Sequence, residues 1–190
     1  MKYIDIAFDL DGVLVDIMPV FNRIIWDEYE SIQVPVNHWD ICTEPPLDQK
    51  TLQDCVVRAI NSIDEIQIKP GATELLSKLY EMTGEPVKII TARSPKTCAN
   101  ATYRLISERL CNFPYDLTLT SDHSKVPYLN RYSFMVEDRR KNALEFAAAD
   151  KKVYLINAYY NQMDEDHPLV KRIKGVHELI PYVEDFIKEI

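Results

Sequence analysis

The sequence has no apolar run near the roughly 20 residues that a membrane-spanning helix needs. Its opening, MKYIDIAFDL, carries one lysine and then acids inside the apolar run, which does not fit a signal peptide. Basic charge is in deficit: 22 Lys and Arg stand against 30 Asp and Glu, a formal net charge of −8. That argues against a nucleic-acid polymer as partner, since such proteins need a basic face. Cysteine is sparse, and Cys42, Cys55, Cys98 and Cys111 form no CxxC pair. No His/Cys cluster has zinc-ligand spacing. Free thiols in a reducing, cytoplasmic compartment are therefore expected. Internal repeats and low-complexity tracts are missing as well.

What remains is an ordinary globular composition, 46% hydrophobic and 27% charged over 190 residues. That length suits one domain, or a core domain with a modest insertion. Short apolar runs at Tyr3 to Phe8, Pro86 to Ile90, Leu117 to Thr120, Ser133 to Glu137 and Lys152 to Ile156 predict five strands. Helical spacing recurs between them. Ala72, Leu75, Leu76, Leu79 and Met82 share one face, and helices are expected from Ser94-Pro95 to about Leu110 and over Lys141 to Ala149. Leu179, Ile180, Val183, Phe186, Ile187 and Ile190 define a last helix. Strands alternating with helices imply an α/β fold with a Rossmann-like, doubly wound parallel sheet. From Met18 to Lys69 no buried strand is evident. Two helical patterns there, Phe21-Ile24-Ile25-Tyr29 and Leu52-Val56-Ile60-Ile63, read as a small helical insertion. The expected division is a core of residues 1–16 and 70–190 with a cap of residues 17–69.

In such sheets ligands bind beyond the carboxyl ends of the strands. The residues there are Asp9 and Asp11; Thr91, Ala92, Arg93 and Ser94; Ser121, Asp122 and then Lys125; Glu137 and Asp138; and Asn157 to Asn161. Carboxylates gathered on one edge repel, and a hard divalent cation with oxygen ligands offsets them; Mg²⁺ fits. Thr91, the helix amides after it and Lys125 suit a phosphate. With so acidic a chain, a phosphate must be attracted locally, by a metal or a few basic side chains.

These residues, in this order, resemble the haloacid dehalogenase superfamily of phosphotransferases: Asp9-Leu-Asp-Gly-Val13, Lys88-Ile-Ile-Thr91, Lys125 and Val136-Glu-Asp138. The likeness runs over essentially the whole chain, with the insertion in the place of that family's helical (C1-type) cap. It implies that Asp9 attacks phosphorus and that Asp11 protonates the leaving alcohol and then activates water. It implies Mg²⁺ on Asp9, the Asp11 backbone and Asp138, and phosphoryl oxygens held by Thr91, Ala92, Lys125 and Gly12. Glu137, Asn142 and Arg93 would support this set from behind, while Asp16 is expected to cap the helix that follows it.

Ile90-Thr-Ala-Arg-Ser94, Glu137 to Asn142 and Tyr154 to Asn161 look like the 5′-nucleotidase and deoxyribonucleotidase (C-type) branch. The implied substrate is a nucleoside 5′-monophosphate, with Trp39 of the insertion the candidate to stack on the base. Glu137, where that branch often has aspartate, and Asn157-Ala-Tyr depart from the pattern. A phosphatase for a sugar phosphate or another small organic phosphate is the alternative enzyme. A non-catalytic phospho-acceptor domain is the alternative of another class, opposed by the insertion and by Asp11. Core support is expected of Tyr159 and Tyr160, and no role is assigned to His123, His167 or His177. A homodimer is compatible with the sequence.

Overall fold

A computed structural model of the chain describes residues 6–34, 41–120, 125–162 and 167–182. Strand β1 (Ile6–Phe8) leads to a two-residue strand, β2 (Val15–Asp16), and helix α1 (Met18–Tyr29). Strands β3 (Ile32–Val34) and β4 (Cys42–Glu44) precede α2 (Gln49–Asn61) and β5 (Gln67–Ile68). The chain continues through α3 (Ala72–Thr83), β6 (Val87–Thr91), α4 (Ala99–Leu105), β7 (Tyr115–Leu119) and β8 (Phe134–Glu137). It closes with α5 (Arg140–Ala148), β9 (Lys152–Ile156) and β10 (Val170–Ile173).

Six strands form one sheet in the order β10-β9-β8-β1-β6-β7, and every neighbouring pair is parallel. Successive side chains of a strand point to opposite faces. Phe8, Ile89, Val136 and Ile156 accordingly pack with Leu75 and Leu76 of α3 and Leu105 of α4. Ala7, Ile90, Met135 and Leu155 pack on the other face with Ala143, Phe146 and Ala147 of α5. The expected α/β architecture, with helices on both faces of a parallel sheet, is therefore present. From β1 the chain builds outward through β6 and β7, then returns to place β8 on the other side of β1. The strand order reverses there, and the crevice beyond the carboxyl ends of β1 and β8 is where such a fold places a ligand.

Three details differ from the expectation. The sheet has a sixth strand, β10, whose sequence Val-Lys-Arg-Ile alternates only two buried residues with a lysine and an arginine. That is too short a pattern to read as a strand, and it suits a charged sheet edge. The residues after Ser94-Pro95 form a turn in which the Ser94 hydroxyl accepts the Lys96 amide (3.2 Å); regular helix begins at Ala99. It then passes into a five-residue π-helical turn, Ile106–Leu110. The third difference is in the insertion, which holds a β3–β4 antiparallel ribbon besides its two helices.

The α1 and α2 faces meet through Val20, Phe21, Ile24, Ile25, Leu52, Cys55 and Ala59, a small core of their own. Tyr29, expected on that face, is exposed instead, as is Trp26. The α2 helix starts at a capping aspartate, Asp48, whose carboxylate accepts the Thr51 amide at 2.9 Å. Antiparallel β2 and β5 join the insertion to the sheet. Asp16 sits at that join: one carboxylate oxygen accepts the Met18 amide (3.0 Å) at the start of α1, and the other takes Lys69 Nζ (3.1 Å). Trp39, and residues 183–190 of the expected last helix, lie outside the described residues.

Candidate active site

Strand β1 ends in Asp9, and β8 beside it ends in Glu137, followed by Asp138; all three are buried. Their carboxylate oxygens lie within 4.8 Å of one another. Burial penalises such charges heavily unless they are paired. The pairing cation is Lys125, only 1% exposed, whose ammonium lies 2.9 Å from Asp9 Oδ1 and 2.7 Å from Glu137 Oε2.

Glu137 is the best satisfied of the three acids. Its Oε2 also accepts from Asn142 Nδ2 (3.2 Å), and its Oε1 takes the backbone amides of Asp138 (3.2 Å) and Arg139 (3.1 Å). Burial pulls its pKa upward, but Lys125 and these donors outweigh burial and lower it. Asp9 goes the other way. Burial raises it well above the carboxylate range against the pull of Lys125, with Glu137, Asp138 and Asp11 adding to the rise. Asp138 is pushed up to about 7, by burial first and by Glu137 second, although the Tyr160 hydroxyl donates to its Oδ2. In Lys125, burial alone would lower the pKa, and Asp9 with Glu137 reverse that and raise it.

Asp11 is held apart from this cluster. Arg93, itself buried, grips it with two parallel bonds, Nε to Oδ2 at 2.8 Å and Nη2 to Oδ1 at 2.7 Å. The fork is the arrangement in which arginine binds a carboxylate most specifically. Thr102 Oγ1 of α4 anchors the remaining guanidinium nitrogen at 3.3 Å. Arg93 thus pairs with Asp11 rather than with Glu137. Thr91 and Ala92 stand at the end of the adjacent strand β6, and the Thr91 hydroxyl accepts the Arg93 amide at 3.4 Å.

Gly12 has a packing role at this edge besides the expected approach to a phosphate. Its φ of +80° suits glycine, and a Cβ placed on it would come 2.1 Å from Asp138 Oδ2. The missing side chain is what lets the Asp138 carboxylate lie against the β1 loop.

Two residues with no assigned site role belong to the site. Tyr160, expected as core support, touches Asp138. Asn161, fully buried, donates to the backbone carbonyls of Asp138 (2.7 Å) and Ile156 (2.7 Å) and accepts from Arg172 Nη1 of β10 (3.0 Å). It ties the ends of three strands together. Its place after the fifth strand was a signal; the distant Arg172 gave none.

A cavity of about 450 Å³ opens over this edge. Asp11, Gly12, Asp138, Tyr159 and Tyr160 line its sheet side, and Asn22, Gln33 and Ile41 reach it from the insertion. Tyr159 is 52% exposed and meets the Tyr160 ring edge-on, with centroids 5.1 Å apart.

A site at a strand-order reversal, led by Asp-Leu-Asp-Gly, can be compared with known proteins. No family model matches the sequence, and no curated protein matches it. Solved structures do match. A putative β-phosphoglucomutase from Thermotoga maritima superposes with a TM-score of 0.62 at 14% identity, covering 96% of this chain and 99% of that one. CbbY from Rhodobacter sphaeroides, solved with phosphate, gives 0.60 at 16% identity over 93% and 96% of the two chains. An aspartate-to-asparagine variant of CbbY was solved with xylulose-1,5-bisphosphate. A haloacid dehalogenase-like hydrolase from Streptococcus pneumoniae gives 0.58 at 17% identity, over 96% and 100%. The fold is that of the haloacid dehalogenase-like hydrolases. The matches cover nearly the full length of both chains.

Proposed function

We propose that this protein is a Mg²⁺-dependent phosphomonoesterase working through an aspartyl-phosphate on Asp9. One observation carries the reading: at the strand-order reversal Asp9 shares Lys125 with Glu137 and lies beside Asp138, while Asp11, two residues on, is held separately by Arg93. Two carboxylates in different surroundings suit two roles.

Among the described residues of the site, the four carboxylates Asp9, Asp11, Glu137 and Asp138 face two cations, Arg93 and Lys125. The deficit, and the oxygen-only donors, fit a hard divalent cation. The Asp9 and Asp138 carboxylates and the Asp11 backbone carbonyl would hold it, since the oxygens of Glu137 are already engaged. Bound there, it supplies the positive charge that keeps Asp9 ionised and draws charge from the phosphoryl oxygens.

In the first step an Asp9 oxygen bonds to phosphorus as the bond to the leaving alkoxide breaks, and Asp11 gives the alkoxide a proton. In the second, Asp11 takes a proton from water, whose oxygen attacks phosphorus and releases Asp9. Arg93 orients Asp11 in both. Lys125 and Thr91 would hold the phosphoryl oxygens on this reading. Residues 17–69 act as a cap over a core of residues 1–16 and 70–190, and α1, β3 and the segment before β4 contribute Asn22, Gln33 and Ile41 to the enclosure.

For the substrate we favour a small phosphorylated carbohydrate-like molecule, supported by the polar side chains of Asn22, Gln33 and Asn157 in the cavity wall and by the sugar bisphosphate bound by CbbY. The nucleoside monophosphate reading retains one support, the exposed Tyr159 ring in the cavity wall, on which a base could stack. Phosphate release from a panel of monoesters with Mg²⁺ tests the activity, and no release from any member overturns it. Asp9→Asn should lower turnover by at least about 1,000-fold with the far-ultraviolet circular dichroism unchanged. A variant with full activity would show that another group is the nucleophile.

A further inference from the structure

The cavity does not end at the acids. It continues along the sheet edge to the residues after β10, where Lys174, Gly175 and His177 line it. Register fixes how far that is. Phe8 pairs Val136, Glu137 pairs Leu155, and Ile156 pairs Ile173. Lys174 therefore lies three strands across and two residues further on than Asp9. At about 4.8 Å per strand and about 3.3 Å per residue, the two backbones are about 16 Å apart. A lysine side chain reaching back over that gap leaves room for a short carbon skeleton between the two groups.

The donors at this end are idle. Lys69, which also lines the cavity, is engaged by Asp16 at 3.1 Å. Neither the Lys174 ammonium nor the His177 imidazole has a hydrogen-bond or ion-pair partner among the described residues. Glu178 is the nearby acid, and its Oε2 accepts the Lys174 backbone amide at 3.1 Å. The His177 ring is also placed. A Cβ on Gly71 would come 2.7 Å from His177 Cβ, and one on Gly175 would come 2.9 Å from His177 Nδ1. Two missing side chains on different elements make the bed on which this residue lies.

We propose that Lys174 and His177 form a second anion-binding subsite, so that the substrate carries its reacting phosphate at one end of a small carbon skeleton and a second phosphate or a carboxylate at the other. The proposal deepens the phosphomonoesterase reading and rests on it. A lysine supplies a point charge and a histidine a ring N–H, a pair suited to an anion rather than to a flat base. Specificity would then come from the core loop after β10 as well as from the insertion.

The test compares kcat/KM with Mg²⁺ for fructose 6-phosphate, fructose 1,6-bisphosphate, 6-phosphogluconate, adenosine 5′-monophosphate and p-nitrophenyl phosphate. A substrate with a second anion should exceed fructose 6-phosphate by about tenfold, the scale of one charge-assisted contact. The bisphosphate and the phosphogluconate arms tell a phosphate from a carboxylate at the far end. Lys174→Met should cut the ratio of bisphosphate to p-nitrophenyl phosphate turnover by a similar factor. Gly175→Ala, which displaces the ring without removing it, should cut it less.

A second readout does not need turnover. In the Asp9→Asn protein with Mg²⁺, added bisphosphate should move the His177 ring proton resonances, assigned by their loss in His177→Gln, and Lys174→Met should weaken the effect. No preference for a second anion, a preference for the nucleotide over both sugars with two anionic groups, or His177 signals that stay fixed would each overturn the proposal. If no ester is hydrolysed yet the His177 signals move, the subsite stands and the assigned reaction falls.

Discussion

At the β1–β8 end of the cavity, Asp9 and Glu137 share Lys125, Asp11 has Arg93, and Asp138 has the Tyr160 hydroxyl. At the β10 end, the side chains of Lys174 and His177 have no hydrogen-bond or ion-pair partner among the described residues. Burial is the cause of the difference. Inside the sheet edge an unpartnered charge is costly, so Lys125 and Arg93 partner the acids from within the protein and fix them before any ligand arrives, leaving only the charge deficit that a divalent cation would fill. At the open end water satisfies the donors, so they can stay unpaired until a ligand replaces that water. On the proposed reading, one end performs the step and the other chooses what enters.

Breaking the buried end should have the largest effect. Lys125→Met leaves Asp9, Glu137 and Asp138 facing one another without their cation. It should destabilise the fold by about 3–5 kcal/mol, the usual cost of removing one partner of a buried ion pair. Urea denaturation measures this, and a loss under 1 kcal/mol would mean that the acids are protonated in the native state without Lys125. By contrast, Lys174→Met at the open end should leave the midpoint almost unmoved, as exposed charges do.

Next in size is Gly12→Ala. The new methyl must displace a carboxylate 2.1 Å away. A misplacement of about 1 Å at a reacting centre costs about 100-fold, so kcat/KM should fall by about that factor for every substrate, with or without a second anionic group. That uniform loss contrasts with the selective loss expected at Lys174. A variant that kept its rate would show that Asp138 need not lie where it does.

The smallest expected effect is a pH dependence of stability. The native Asp138 holds its proton up to about pH 7, against a usual 3.8, because burial first and Glu137 second resist its charge. Its native pKa is raised, so between those values the native state binds more protons than the unfolded chain, and the metal-free protein loses stability as pH rises through that window. Mg²⁺ competes with the same proton. The rise in Tm on adding Mg²⁺ should therefore be larger at pH 8 than at pH 5, by a few degrees. Equal shifts at both values would remove Asp138 from the metal's ligands.

The same contrast decides what could be read in the sequence. Asp9, Lys125, Glu137 and Asp138 follow short apolar runs, and a parallel sheet must bring such positions to one edge, so their convergence was legible from pattern alone. The partner of Arg93 was not, because the Asp11 pair spans 82 residues and depends on how β6 sits beside β1. Tyr160 and Asn161 follow a recognised strand, yet their bonds depend on the shape of one turn. β10 was missed because two buried residues do not make a period, and with it went Arg172, Lys174 and His177. His177 could not be found by ligand spacing at all: what fixes it is the absence of side chains on Gly71 and Gly175.

Those two positions and Gly12 are three of only four glycines in the chain, and the fourth, Gly84, has nothing within 4 Å of where a Cβ would go. The cavity is thus drawn as much by atoms left out as by atoms present. At these glycines its shape can change only by additions. A single methyl at Gly12 intrudes on Asp138 and one at Gly175 on His177, so, if the two ends have the proposed parts, descendants of this sequence could acquire a different substrate through the second position while the first holds the chemistry constant.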